Sequence, residues 1–158
     1  MKAWALASAI AGTLAAQSTV PNTFLVHNLV SDLAGIADHQ DPNLVNPWGN
    51  AFGAGPFWIG NNGTGTSTLY DGTGAITPLV VNIPSAGGAL TGGPVTGVID
   101  NTFTANTAVF DVAATKPASF IFCAEDGVIS GWNYSVDSTH AHILFDNSKS
   151  GAVYKGCA

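Results

Sequence analysis

The run Thr68-Leu69-Tyr70-Asp71-Gly72-Thr73-Gly74-Ala75-Ile76 decides the fold. Three residues that favour extended backbone lead into Asp-Gly-Thr-Gly, and an apolar run starts again behind it. Glycine reaches positive φ without steric cost and aspartate bonds its own backbone, so the stretch reads as a β-hairpin. A second stretch of the same form, Phe120-Ile121-Phe122…Gly127-Val128-Ile129, follows at an offset of 53 residues. Upstream of each hairpin a proline precedes a glycine, Pro47…Gly49 and Pro94…Gly97, at offsets of 47 and 48. A period of about 50 residues is that of one four-stranded propeller blade. Unrelated glycine-rich hairpins would give the same two echoes.

Outward from these hairpins, short β-type runs alternate with Gly, Pro, Asn and Asp. The expected strands are Thr23–Val30, Phe57–Ile59, Thr68–Tyr70, Leu79–Ile83, Val95–Ile99, Ala108–Val112, Phe120–Cys123, Val128–Ser130, His142–Phe145 and Ala152–Tyr154. No long stretch carries a sustained 3.6-residue apolar rhythm, so the pattern points to an all-β sandwich, barrel or propeller.

Composition narrows the function classes. Of 158 residues only 9% are charged, against ~25% in an ordinary soluble domain. Lys and Arg together number 4 against 10 Asp and Glu, a net charge of −6, and no arginine is present. A basic nucleic-acid surface is excluded on that count. Glu125 is the single glutamate, which argues against long helices.

Met1-Lys2 followed by the uncharged run Ala3–Ala16 and then by Gln17-Ser18-Thr19 has the layout of a secretory signal peptide. The run is shorter than the ~20 residues of a stable bilayer span, and no second apolar span follows. Residues 1–16 are therefore read as a signal peptide and the mature chain as exported, without a transmembrane segment. Export permits a disulfide, and Cys123 and Cys157 are the only pair. Two buried apolar thiols fit the same sequence, and spacing does not decide between them.

At ~45 residues per blade, residues 17–158 build about three blades, fewer than a closed propeller needs. The expected architecture is thus a partial β-propeller of two to three four-stranded antiparallel blades, a fragment of a longer propeller. The final Val153-Tyr154-Lys155-Gly156-Cys157-Ala158 reads as an interrupted strand.

Several strings resemble one family. They are Asp41-Pro42-Asn43-Leu44-Val45-Asn46-Pro47-Trp48-Gly49, Gly55-Pro56-Phe57-Trp58, Asn62-Gly63-Thr64-Gly65 and Ser67-Thr68-Leu69-Tyr70-Asp71-Gly72. Further on stand Glu125-Asp126-Gly127-Val128-Ile129-Ser130-Gly131-Trp132-Asn133, Asp146-Asn147-Ser148 and Gly151-Ala152-Val153-Tyr154-Lys155-Gly156. Together they resemble an uncharacterised family of exported bacterial proteins, β-propellers related to the NHL-repeat type, over roughly residues 24–158. The resemblance implies a protein more than twice this length, of which this is the N-terminal part, and it implies no activity. Cys123, Cys157, His140 and His142 depart from the family's pattern.

No residue is assigned as catalytic, cofactor-binding or metal-ligating. His140 and His142 share one face of an extended segment, and with Asp137 or Asp146 they would make half of a zinc or copper site. Without a partner cluster the pair reads as a solvated edge strand. Asp38-His39-Gln40-Asp41 offers three ligands in what reads as a turn. The acids of Asp71-Gly72-Thr73-Gly74 and Glu125-Asp126-Gly127 lack the spacing of calcium loops. Ile129-Ser130-Gly131 lacks the first glycine of a nucleophile elbow, and Lys149-Ser150-Gly151 lacks a phosphate loop's spacing. Trp48, Trp58 and Trp132 read as packing residues, although sugar stacking uses the same residue type.

These readings converge on a non-catalytic exported binding module whose ligand is a protein, glycan or surface polymer, with no cofactor. The alternative is a metal-dependent hydrolase of the lactonase type in a full-length propeller, which rests on fold analogy. A third reading gives this chain no activity, because a site at the centre of a ring needs more blades.

Overall fold

The computed structural model describes residues 23–53, 55–101 and 110–158. Residues 1–16, read as a signal peptide, lie outside the described residues, as do residues 17–22 and the first two positions of the expected strand Ala108–Val112.

The protein is all-β. Strands β1 (Val30–Ser31) and β2 (His39–Gln40) form a short parallel pair. Strands β3 (Pro47–Phe52), β4 (Phe57–Asn61), β5 (Thr66–Tyr70) and β6 (Ile76–Asn82) make an antiparallel sheet in that order. A small hairpin, β7 (Pro84–Ser85) and β8 (Ala89–Gly92), leads to β9 (Val95–Asp100). After the small pair β10 (Asp111–Ala113) and β11 (Lys116–Pro117) come β12 (Phe120–Ala124), β13 (Val128–Trp132) and β14 (His142–Asp146). The second sheet has the order β9-β12-β13-β14, again antiparallel throughout. The described strands close neither a barrel nor a ring, so the architecture established is two four-stranded antiparallel sheets. No helix among the described residues is long and apolar enough to cross a membrane.

Turn chemistry sets the strand ends. Asp71 Oδ1 accepts the backbone N–H of Thr73 (2.8 Å) and of Ala75 (3.0 Å), closing the β5–β6 turn on a side chain. Gly127, between β12 and β13, sits at φ 85°, a conformation open to glycine at little cost.

Side chains alternate between sheet faces, and one face of each sheet forms the shared core. Trp58 stacks on Phe120 with ring centroids 3.9 Å apart and planes 20° apart, and Trp132 lies 4.9 Å from Trp58. Leu69, Val81, Val98 and Phe122 belong to the same buried cluster. The inner strands β3 and β9 run against each other because glycines let them. A Cβ on Gly49 would stand 2.8 Å from Val98 N, and one on Gly60, its partner on β4, would stand 3.0 Å from Val98 Cγ2. At the other edge Asn82 N donates to Thr139 O (2.8 Å) and Asn82 O accepts from Ala141 N (3.0 Å), tying β6 to the segment before β14.

The expected strands from Phe57 to Tyr70, and those at Val95–Ile99, Phe120–Cys123, Val128–Ser130 and His142–Phe145, fall on observed strands. Leu79–Ile83 does so up to Asn82, and of Ala108–Val112 the described end overlaps β10 (Asp111–Ala113). Two of the differences have physical causes. Of Thr23–Val30 only Val30 enters a strand. Leu25 is 98% exposed, and among the described residues no strand pairs with residues 23–27. Ala152–Tyr154 joins no sheet. Strand β3 forms at Pro47–Phe52, where no strand was expected. It is an edge strand whose register shifts between Pro47 and Gly49, the setting that tolerates proline. The hairpin echo also pairs unlike elements: Thr68–Tyr70 lies in the third strand of its sheet and Phe120–Phe122 in the second. The segment between β9 and β12 displaces the later strands. The proline–glycine echo does match equivalent strands, β3 and β9.

Cys123 and Cys157 form a disulfide, their Cα atoms 6.2 Å apart, which resolves the pair left open by the sequence.

Candidate functional site

Because Trp58 and Leu69 point into the core, their neighbours Phe57, Ile59, Thr68 and Tyr70 occupy the opposite face of the first sheet. Residues 29–44 cross that face. Between them lies a cleft of about 470 Å³ whose walls are mostly apolar, from Leu29, Leu44, Pro47, Phe57 and Ile59. Tyr70 is its polar anchor. Tyr70 Oη donates to Asp41 Oδ2 (2.8 Å) and stands 2.8 Å from Thr68 Oγ1. Thr68 Oγ1 in turn accepts from Asn61 Nδ2 (2.9 Å). Asp41 is buried, and its Oδ1 accepts both Asn43 N (2.9 Å) and Asn43 Nδ2 (3.0 Å). Burial pushes the Tyr70 phenol well above its ordinary value. The Thr68 bond opposes this, and the Asp41 carboxylate reinforces it by disfavouring a second negative charge.

The residues singled out from the sequence scatter. Asp38 pairs with His27 at 2.9 Å while Asp41 turns inward to Tyr70, so Asp38-His39-Gln40-Asp41 does not converge. Asp71 closes its own turn, and the bonds from Thr73 hold its carboxyl below the usual range. Glu125 is ion-paired with Lys155 and accepts Asn62 Nδ2 (3.2 Å). These partners, Lys155 foremost, likewise lower its carboxyl. Asp126 Oδ2 accepts Ala86 N at 2.7 Å.

Asp137, not Asp146, stands with the two imidazoles. Its Oδ2 is 3.3 Å from His140 Nδ1 and 4.0 Å from His142 Nε2. Its Oδ1 is filled by Thr139 N (2.8 Å), Thr139 Oγ1 (3.1 Å) and His140 N (3.0 Å). The Thr139 backbone N–H leads in lowering the Asp137 carboxyl to about 2. Asp146 caps Ser148 and accepts Gly87 N instead. Among the described residues no three His, Cys, Asp or Glu side chains form a metal-ligand group.

Ser130 is buried between the sheets, and Ser150 Oγ donates to Asn147 O. Trp58 and Trp132 pack as expected. Trp48 does not: it is 52% exposed, its Nε1 donating to Asn46 Oδ1 (3.1 Å), because β3 is an edge strand. The cleft and its Asp41–Tyr70 bond had no sequence signal, since they join residues 29 positions apart.

No family model and no solved structure matches the chain. Two uncharacterized proteins of Acanthamoeba polyphaga mimivirus do. One is 32% identical over 132 residues, covering 84% of this chain and 32% of the relative. The other is 28% identical over 139 residues, covering 85% of this chain and 36% of the relative. The chain spans about a third of the length of these relatives. The resemblance to an exported bacterial, NHL-related family is therefore corrected: the relatives found are viral. Glycine-rich hairpin strings recur wherever short antiparallel strands are joined by tight turns, so they do not identify a lineage.

Proposed function

We propose that the chain is part of an exported, non-catalytic binding protein. Its two sheets are adjoining blades of a larger β-propeller, and the cleft over Phe57 and Ile59 receives an apolar segment of a protein ligand. The observation that carries this reading is the division of labour among side chains. Asp41, Asp71, Asp126, Asp137 and Asp146 all accept bonds from backbone N–H groups near turns, and the cleft walls, Asn50, Tyr70 and Asp71 aside, are apolar. Recognition by buried apolar area with one polar anchor suits such a cleft. The repeated antiparallel sheet and the glycine-mediated approach of β3 to β9 support the blade reading. The disulfide and the apolar N-terminal run support export. The hydrolase alternative finds no donor set among the described residues.

The test uses the apolar dye anilinonaphthalene sulfonate on the folded chain. The expected result is saturable binding at one site, lost in Ile59→Asp while circular dichroism stays unchanged. Absence of binding by the wild-type chain, or equal binding by Ile59→Asp, would sink the reading.

A further inference from the structure

Three stretches of the chain share one backbone role. Pro47-Trp48-Gly49-Asn50-Ala51, Val95-Thr96-Gly97-Val98-Ile99 and Tyr154-Lys155-Gly156-Cys157-Ala158 align on a central glycine. Their contacts align with them. A Cβ on Gly49 would stand 2.9 Å from Gly97 C and 2.8 Å from Val98 N. A Cβ on Gly97 would stand 3.1 Å from Gly156 C and 2.6 Å from Cys157 N. The Gly156–Cys157 peptide thus covers Gly97 as the Gly97–Val98 peptide covers Gly49. The side chains that follow repeat the relation. Val98 packs on Gly60, which pairs with Gly49 across β3 and β4; Cys157 is bonded to Cys123, which pairs with Gly97 across β9 and β12.

We propose that Ala152–Ala158 is the inner strand of a third sheet of the same kind, seated on the second sheet as β9 is seated on β3. The Cys123–Cys157 bridge is the covalent counterpart of the contact between Val98 and Gly60. Side-chain bonds already hold the segment in place: Thr96 Oγ1 donates to Tyr154 O (2.7 Å), and Asn147 Nδ2 donates to Tyr154 Oη (2.7 Å). Lys155 is ion-paired with Glu125. No backbone-to-backbone bond joins Val153–Ala158 to another described residue, so the edge that β4 occupies on β3, and β12 on β9, is open here. That edge fits an antiparallel strand, the second strand of the third sheet. The proposal shares the repeated sheet with the propeller reading but does not require a ring.

The test compares wild type, Gly97→Val and Gly55→Val, the last at an exposed glycine with open space around it. Native-state alkylation followed by intact mass counts free thiols. Wild type and Gly55→Val should show none. Gly97→Val should show two in most molecules while its tryptophan emission stays that of wild type, since Gly97 faces away from the Trp58–Phe120 stack. A fully bridged Gly97→Val overturns the proposal. Should that variant fail to fold, nuclear Overhauser spectra of the wild type decide: a cross-peak between Gly97 Hα and the Cys157 amide is required, and its absence overturns the proposal. Deuterium exchange at Val153–Ala158 should be fast against slow exchange in β9, and equal protection would show that the edge is already covered. Failure of dye binding would remove the ligand reading and leave this seat intact.

Discussion

The seam between the two sheets and the seam between the second sheet and the C-terminal segment are built on the same backbone contact but closed by different chemistry. At the first, a glycine on β3 lets β9 approach, and the gap is filled by Val98 and by the stacked rings of Trp58, Phe120 and Trp132. At the second, a glycine on β9 lets the tail approach, and no ring stack lies there among the described residues. A disulfide, two side-chain hydrogen bonds and an ion pair do the holding. Where apolar area is available on both sides, burial suffices. At the tail the contact is closed by a covalent bond instead.

The largest expected effect comes from breaking the first seam. Trp58→Ala should lower unfolding stability by ~3–5 kcal/mol, read as a shifted urea midpoint, because it leaves a cavity between two sheets. Cys157→Ser breaks the second seam, with a loss of ~2–4 kcal/mol in the loop-closure account of a bridge between residues 34 apart. Trypsin should then cut after Lys155 at an undiminished Trp58 signal, which would separate the two seams. The comparison is sharpened by exchanging their chemistry. Gly60→Cys combined with Val98→Cys should form a bridge at the position equivalent to Cys123–Cys157, gaining at most ~2 kcal/mol. A failure of those thiols to pair would show that the seams are not equivalent.

The smallest effect concerns the tie between β6 and the segment before β14. Asp137 titrates below its unfolded value, so its contribution is present above pH ~4 and lost as pH falls toward about 2. Asp137→Asn should reduce, without abolishing, the fall in melting temperature across that window, since Asp71, Glu125 and Asp146 are also held low.

Much of the sheet structure was legible because hairpins announce themselves locally. Asp71-Gly72-Thr73-Gly74 and Glu125-Asp126-Gly127 mark two turns, and the apolar runs beside them are strands. The inner strands were legible only through spacing, as Pro47…Gly49 and Pro94…Gly97, since β3 carries turn-forming residues and is shaped by its neighbour. The run Thr23–Val30 shows the converse: good strand composition, of which only Val30 is paired in a sheet among the described residues. The cleft was not legible at all: Asp41, Asn61, Thr68 and Tyr70 meet only after β4, β5 and the crossing segment are assembled. The bridge stood between, because two cysteines define a candidate pair while their distance depends on where the tail is laid.

The position of Cys157 also fixes an order of events during synthesis. It lies 34 positions after Cys123, and the residues between include all of β13 and β14. By the time the later thiol leaves the ribosome, every strand of the second sheet has already been made. The bridge therefore cannot form until every strand of the second sheet has been synthesised.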